Sequence, residues 1–103
     1  MISFYYNNDE GITTLSFKGR MDTLAVAKVT ELIQAEPGLQ NPEKGNNLVF
    51  DLKDVDYVAS SFIRICLTHA KKEGAGRFSI VNCQPFVKKT FKISGLDEIL
   101  NIS

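Results

Sequence analysis

Ser60 and Ser61 stand side by side in the stretch "DVDYVASSFIRICL", residues 54–67. A serine hydroxyl can act as a nucleophile, accept a phosphate or cap a helix. Each use demands different neighbours. A nucleophile needs a base within hydrogen-bond reach, and His69 is the single histidine of the chain. Ser61 and His69 lie eight residues apart on one predicted helix, which displaces them by about 12 Å along its axis. No phosphate loop of the GxxxxGK[ST] type occurs, and "EGAG" is too short and precedes a strand. The sequence therefore argues against an enzyme. Two uses of the serine pair stay open, separately or together: helix caps, or a cap and a modified hydroxyl.

The position suits an anion. A helix N-terminus exposes unpaired N–H groups and the positive end of the helix dipole, and a phosphate adds about −1.5 to −2 charges. Arg64 follows Ser60 by four residues, one turn along a helix, so its guanidinium could reach back to a phosphate or simply be solvated. Asp22, followed by Thr23, is a good N-cap for an earlier helix. Lys71, Lys72, Lys88, Lys89 and Lys92 read first as solvated helix faces and second as a basic surface for a partner.

The elements that must position these residues follow from local pattern. At 103 residues the chain forms one domain, 1–103, with one core. Its hydrophobic content is 44% and its charged content 23%, ordinary for a globular protein. Twelve basic residues balance twelve acidic ones, which argues against nucleic acid as partner. The N-terminus lacks the pattern of a signal peptide, and no apolar run approaches the ~18 residues of a membrane span. A cytoplasmic protein, monomer or weak dimer, is expected. Cys66 and Cys83 form no CxxC and read as small buried hydrophobes. With one histidine and no clustered ligands, neither a metal nor a cofactor is expected.

"ISFYYN" and "ITTLSFKG" read as a hairpin around the turn residues "NDEG", with Thr13, Leu15 and Phe17 on one face. Ala25, Val29, Leu32 and Ile33 recur at helical spacing, and Pro37-Gly38 ends that helix. "PGLQNPEKGNN" is a long polar loop. "NLVFDL" is a continuous apolar run, as in a strand buried on both faces, and "KDVD" reads as a turn. Ile63, Cys66, Leu67 and Ala70 form one helical stripe, ended by "KKEGAG". "RFSIVN" is the next strand. Pro85 opens a helix containing Phe86, Val87 and Phe91 that Ser94-Gly95 interrupts, and "LDEIL" reads as a last helical piece. Strands separated by helices imply parallel pairing. The expected class is α/β: a small mixed, mostly parallel sheet of about four strands with helices mainly on one face.

Three segments in order carry a resemblance. "LVFDLKDVDYVASSFIRICL" resembles the signature of the STAS domain, the fold of bacterial anti-sigma factor antagonists: an apolar strand, a short acidic and aromatic turn, then Asp-Ser-Ser/Thr-Gly and a hydrophobic helix. "FKGRMDT" resembles the family's Gly-Arg/Glu-Leu-Asp-Thr segment, and "VKKTFKISGLDEILNI" its closing pattern. The resemblance implies that Ser60 is the phosphorylated serine, with Ser61 the alternative. It implies a partner anti-sigma factor that is itself a Ser/Thr kinase, and a PP2C-type phosphatase that resets the switch. Transcription regulation by partner switching would follow. It also implies that Asp22, beside the switch serine, helps to engage the partner. Ala59 stands where the family often has Asp, and Phe62 where it usually has Gly. The second change puts a ring where a partner would approach bare backbone, so Phe62 joins Asp22, Ser60, Ser61 and Arg64 as an expected partner contact. The alternative within the family is a constitutive adaptor without a phosphorylation cycle, for example a partner of a lipid-transporter ATPase.

Overall fold

The computed structural model describes residues 2–7, 12–35, 47–73, 77–96 and 100–102. Strands β1 (Ile2–Asn7) and β2 (Ile12–Met21) form the expected antiparallel hairpin. Helix α1 (Thr23–Ala35) leads to β3 (Asn47–Val58), helix α2 (Ser60–Glu73) to β4 (Phe78–Val81), and α3 (Pro85–Ile93) follows. The sheet order is β1-β2-β3-β4, with β3 parallel to both β2 and β4. This is the mixed, mostly parallel α/β sheet that the pattern implied. "NDEG", most of "PGLQNPEKGNN", the glycines of "KKEGAG" and the centre of "LDEIL" lie outside the described residues.

Side-chain alternation sets the core. Leu15, Phe50 and Ile80 are register partners across three strands, as are Leu48 and Phe78, and all five are buried. Val49, Asp51, Ser79 and Val81 alternate with them and stay partly exposed. The apolar run "NLVFDL" is therefore buried on one face, not two, because Val49 and Asp51 point away from the helices' side.

"KDVD" is strand, not turn. β3 continues to Val58 because Asp54, Val55, Tyr57 and Val58 pair with Lys18, Gly19, Arg20 and Met21. Two register shifts, between Ser16 and Lys18 and between Gly19 and Arg20, let β3 advance one residue further than β2 each time. Such bulges break the period-two alternation that marks a strand in sequence. Gly19 sits at φ +96°, a backbone that side chains rarely adopt. On α1 the buried stripe is Val26, Val29 and Ile33, whereas Leu32 is 43% exposed. Pro85 opens α3 at a position that needs no N–H. Gly95, at φ +73°, closes it: its N–H donates to the Lys92 carbonyl and that of Leu96 to Phe91, the paired bonds of a Schellman end.

Four phenylalanines form the centre. The Phe50 ring centroid lies 4.9 Å from those of Phe17 and Phe78 and 6.4 Å from that of Phe62, and Phe17 meets Phe62 edge-on at 5.2 Å. Phe62 is fully buried. Its expected role as an exposed partner contact is corrected: it faces the sheet, because Phe62 and Cys66, one turn apart, are the positions by which α2 enters the core. Phe62→Ala should cost about 3–5 kcal/mol of stability, read as a lower urea midpoint with an unchanged m-value.

Candidate functional site

The two candidate regions of the chain meet at one edge of the sheet. β2 and β3 run parallel and end together, with Met21 opposite Val58. The Ala59 N–H then donates to the Met21 carbonyl at 2.9 Å. Thus α1 and α2 start side by side, and Asp22 and Ser60 lie at the C-terminal ends of adjacent parallel strands, where open α/β sheets bind their ligands.

Asp22 caps α1. Its Oδ1 accepts the Ala25 N–H at 2.9 Å and its carbonyl accepts the Val26 N–H. Its other oxygen lies 3.9 Å from Arg20 Nε. The Arg20 guanidinium rests over the Tyr57 ring, 4.1 Å from the centroid, a cation–π contact between register partners. Leu24, the second residue of α1, is 83% exposed. Arg20 and Tyr57, which join Asp22 in this cluster, were not singled out in the sequence. The signal for them was the parallel pairing of "GRMD" with "DYVA", visible only once the bulged register is known.

Neither serine is the N-cap of α2. The Ala59 carbonyl accepts the first intrahelical bonds, from Phe62 at 3.0 Å and Ile63 at 3.2 Å, so Ala59 holds the cap position and Ser60 begins the helix. Alanine supplies no capping oxygen, and no acidic residue lies in the first turn. The dipole's positive end is thus left without a protein anion there.

The two hydroxyls part company. Successive helical residues turn by about 100°. With Phe62 pointing into the core, Ser60 falls on the far side of α2 and Ser61 on its flank. Ser60 is exposed, and Arg64, four residues on, is exposed on the same face. Ser61 Oγ is instead buried without a hydrogen-bond partner. It lines a cleft between α1 and α2, together with Arg64, Ile65, His69 and Lys72 of its own helix and Ile33 of α1. The structure therefore groups Asp22, Ser60 and Arg64 near one surface, places Ser61 in the adjoining cleft, and removes Phe62 from both.

His69 packs against the Phe50 ring at 5.7 Å. Burial, and then Lys72, lowers its pKa from the ordinary 6.5. Cys66 is fully buried and Cys83 partly so, both as free thiols. Burial raises both, Cys83 to about 11, so neither supplies a thiolate at neutral pH. Among the described residues no group of three or more metal-ligating side chains assembles, and no helix is long and apolar enough to cross a membrane.

Residues 5–103 match the STAS domain family. The chain belongs to this family. Solved structures agree in fold. An anti-sigma factor antagonist from Mycobacterium paratuberculosis is 22% identical, with a TM-score of 0.76 over 99% of this chain and 85% of that one. A STAS-domain anti-sigma-factor antagonist from Planctomyces limnophilus is 18% identical, with a TM-score of 0.82 over 99% and 87%. Unphosphorylated SpoIIAA, an anti-sigma factor antagonist, is 20% identical, with a TM-score of 0.76 over 100% and 88%. No curated protein matches the sequence significantly.

Two outcomes test this geometry. Asp22→Ala should lower stability by about 1 kcal/mol through the lost cap, and Asp22→Asn, an equally good cap, should restore most of it; urea midpoints of the two variants compare them. For His69 the folded pKa lies below the unfolded one, so the unfolded chain takes the proton first as pH falls. The stability contribution is complete above about 6.5 and is lost below it, down through the folded value. Between pH 7.5 and 5.5 the wild-type urea midpoint should fall, and His69→Gln should flatten that fall.

Proposed function

We propose that this STAS protein is an anti-sigma factor antagonist-like regulator in the cytoplasm, which binds a Ser-kinase anti-sigma factor and is switched by phosphorylation of Ser60. One observation carries the choice of residue. Ser60 is exposed at the first position of α2, where Ala59 leaves the helix end uncapped and no acid in the first turn competes for it. The Ser61 hydroxyl, by contrast, is buried and does not present itself to a kinase.

The partner surface would centre on Ser60, Asp22 and Arg64, with Leu24 as its apolar contact. In the unmodified protein the N-terminal end of α2 carries an uncharged hydroxyl, while the start of α1 carries an ion-paired carboxylate and an exposed leucine. A phosphate there adds charge and bulk at the docking surface while the helix dipole accepts the anion, so the modification acts on binding and leaves the fold intact. Arg64, on the same face one turn away and in no ion pair with any described residue, can donate to the phosphate. A PP2C-type phosphatase would return the serine to its binding-competent form. The role is recognition rather than catalysis.

Incubation with the cognate anti-sigma kinase and ATP, followed by intact-mass analysis, should show one added phosphate. Ser60→Ala should abolish it and Ser61→Ala retain it. Ser60→Asp should weaken kinase binding at least tenfold, a change of about 1.4 kcal/mol. An unmodified protein beside a kinase active on another substrate would sink the switch. Equal binding by Ser60→Ala and Ser60→Asp would point to the constitutive adaptor.

A further inference from the structure

The outer face of α3 carries chemistry that neither the core nor the switch uses. Val87 and Phe91 set the buried side of this helix. At about 100° per residue, Phe86 and Ile93, seven positions apart, return to within about 20° of each other on the solvent side. Phe86 is 64% exposed and Ile93 77%. They stand about 10 Å apart along the axis, one in each terminal turn. Lys89, Lys92 and Lys88 follow in that order round the exposed arc, away from the apolar pair. The helix thus shows an apolar edge beside a basic one.

A single exposed hydrophobe is ordinary, but two aligned on one helix and bordered by three cations form a pattern. The three lysines are exposed, and none joins an ion pair among the described residues. From Gln84 to Leu96 every charged side chain is a lysine. The helix start adds to this charge. Gln84 makes no side-chain cap bond and the first turn holds no acid, so the positive end of the dipole is uncompensated. A second copy of this face would meet it with like charge, so its complement is an anionic surface. That surface must also accept a phenylalanine and an isoleucine projecting from a convex helix. A folded partner would need a groove cut to that shape, whereas the headgroup boundary of a bilayer accommodates such side chains without one.

We propose that α3 docks the protein peripherally on a bilayer containing anionic phospholipid. The helix axis lies parallel to the membrane, which lets the apolar side chains of both terminal turns reach it. Phe86 and Ile93 enter the boundary between headgroups and acyl chains. Lys88, Lys89 and Lys92 reach lipid phosphates on their flexible stems. The attachment is reversible and sensitive to salt. It draws on none of Asp22, Ser60 and Arg64, so docking and the switch use different side chains.

The chain contains no tryptophan, so Phe86→Trp places a single fluorophore at the contact. Its emission should shift to the blue, saturably, on titration with vesicles of equimolar phosphatidylcholine and phosphatidylglycerol. It should stay unmoved with phosphatidylcholine alone. Sodium chloride at about 1 M, which shortens the Debye length to about 3 Å, should reverse most of the shift. In the same background, Lys88→Gln, Lys89→Gln and Lys92→Gln together should lower the partition coefficient about a hundredfold, at about fivefold per lysine. Lys88→Arg, Lys89→Arg and Lys92→Arg together keep the charge and should retain binding. Ile93→Ser should weaken it about tenfold. These side chains are exposed, so urea midpoints should not move. No shift with the anionic vesicles at low salt overturns the proposal. So does an equal shift with phosphatidylcholine alone, or an unchanged partition in the glutamine triple variant. A saturable shift with poly-L-glutamate and none with vesicles overturns it in favour of an acidic polypeptide partner. No readout involves a kinase, so failure of the switch and failure of the docking face are separate results.

Discussion

The structure turns on one backbone hydrogen bond, from the Ala59 N–H to the Met21 carbonyl at 2.9 Å. It closes the parallel pairing of β2 and β3 at the point where both chains leave the sheet. It extends the register that ends with Met21 opposite Val58, and so sets Asp22 and Ser60, 38 positions apart in sequence, at neighbouring strand ends. With it, two helix N-termini are set beside each other at the same sheet edge, one capped by a carboxylate and one by nothing. The two bulges in β3 serve the same end. They let the longer strand keep pace with the shorter, so that Val58 arrives opposite Met21.

What happens on α2 then follows from its rotation, and Phe62 sets the rotation. A fully buried ring packed on Phe17 and Phe50 fixes which side of the helix faces the sheet, and the remaining positions follow at about 100° each. Ser60 and Arg64 are carried to the outside. Ser61, Ile65 and Lys72 are carried to the flank that meets α1, and His69 lies between that flank and the core. A glycine at position 62 would leave the helix held by Cys66 and weaker contacts. The residue that looked like an exposed contact is thus what orients the exposed face of α2.

The order and type of the elements were legible in the sequence because they rest on local signals: alternation in β2, helical spacing in α1, the Pro85 start and Gly95 stop of α3. Asp22 was legible as a cap for the same reason. The readings that failed all depended on information a local window lacks. "KDVD" looks like a turn because two bulges erase its alternation, and only the partner strand shows why it is extended. Val26 rather than Leu32 enters the core, a difference of orientation within one apolar helix. Ser60 and Ser61 are excellent capping residues, yet the cap fell to Ala59, because the first helical bond is set by where β3 ends and not by which side chain caps best.

That last displacement bears on the chemistry. A helix with alanine at its cap is less stable than one with serine or aspartate there by about 1 kcal/mol. A carboxylate at position 59 would satisfy the open N–H groups itself and would repel a phosphate on the next residue. Alanine does neither. The carboxylate at the adjoining strand end, Asp22, is already engaged by the Ala25 N–H and by Arg20, which itself is held over Tyr57. The site is therefore depleted of negative charge at the one place where the helix dipole asks for it. An anion added at Ser60 would supply the cap that the sequence omits. On this account the departure at position 59 disposes the helix end toward a phosphate instead of away from it.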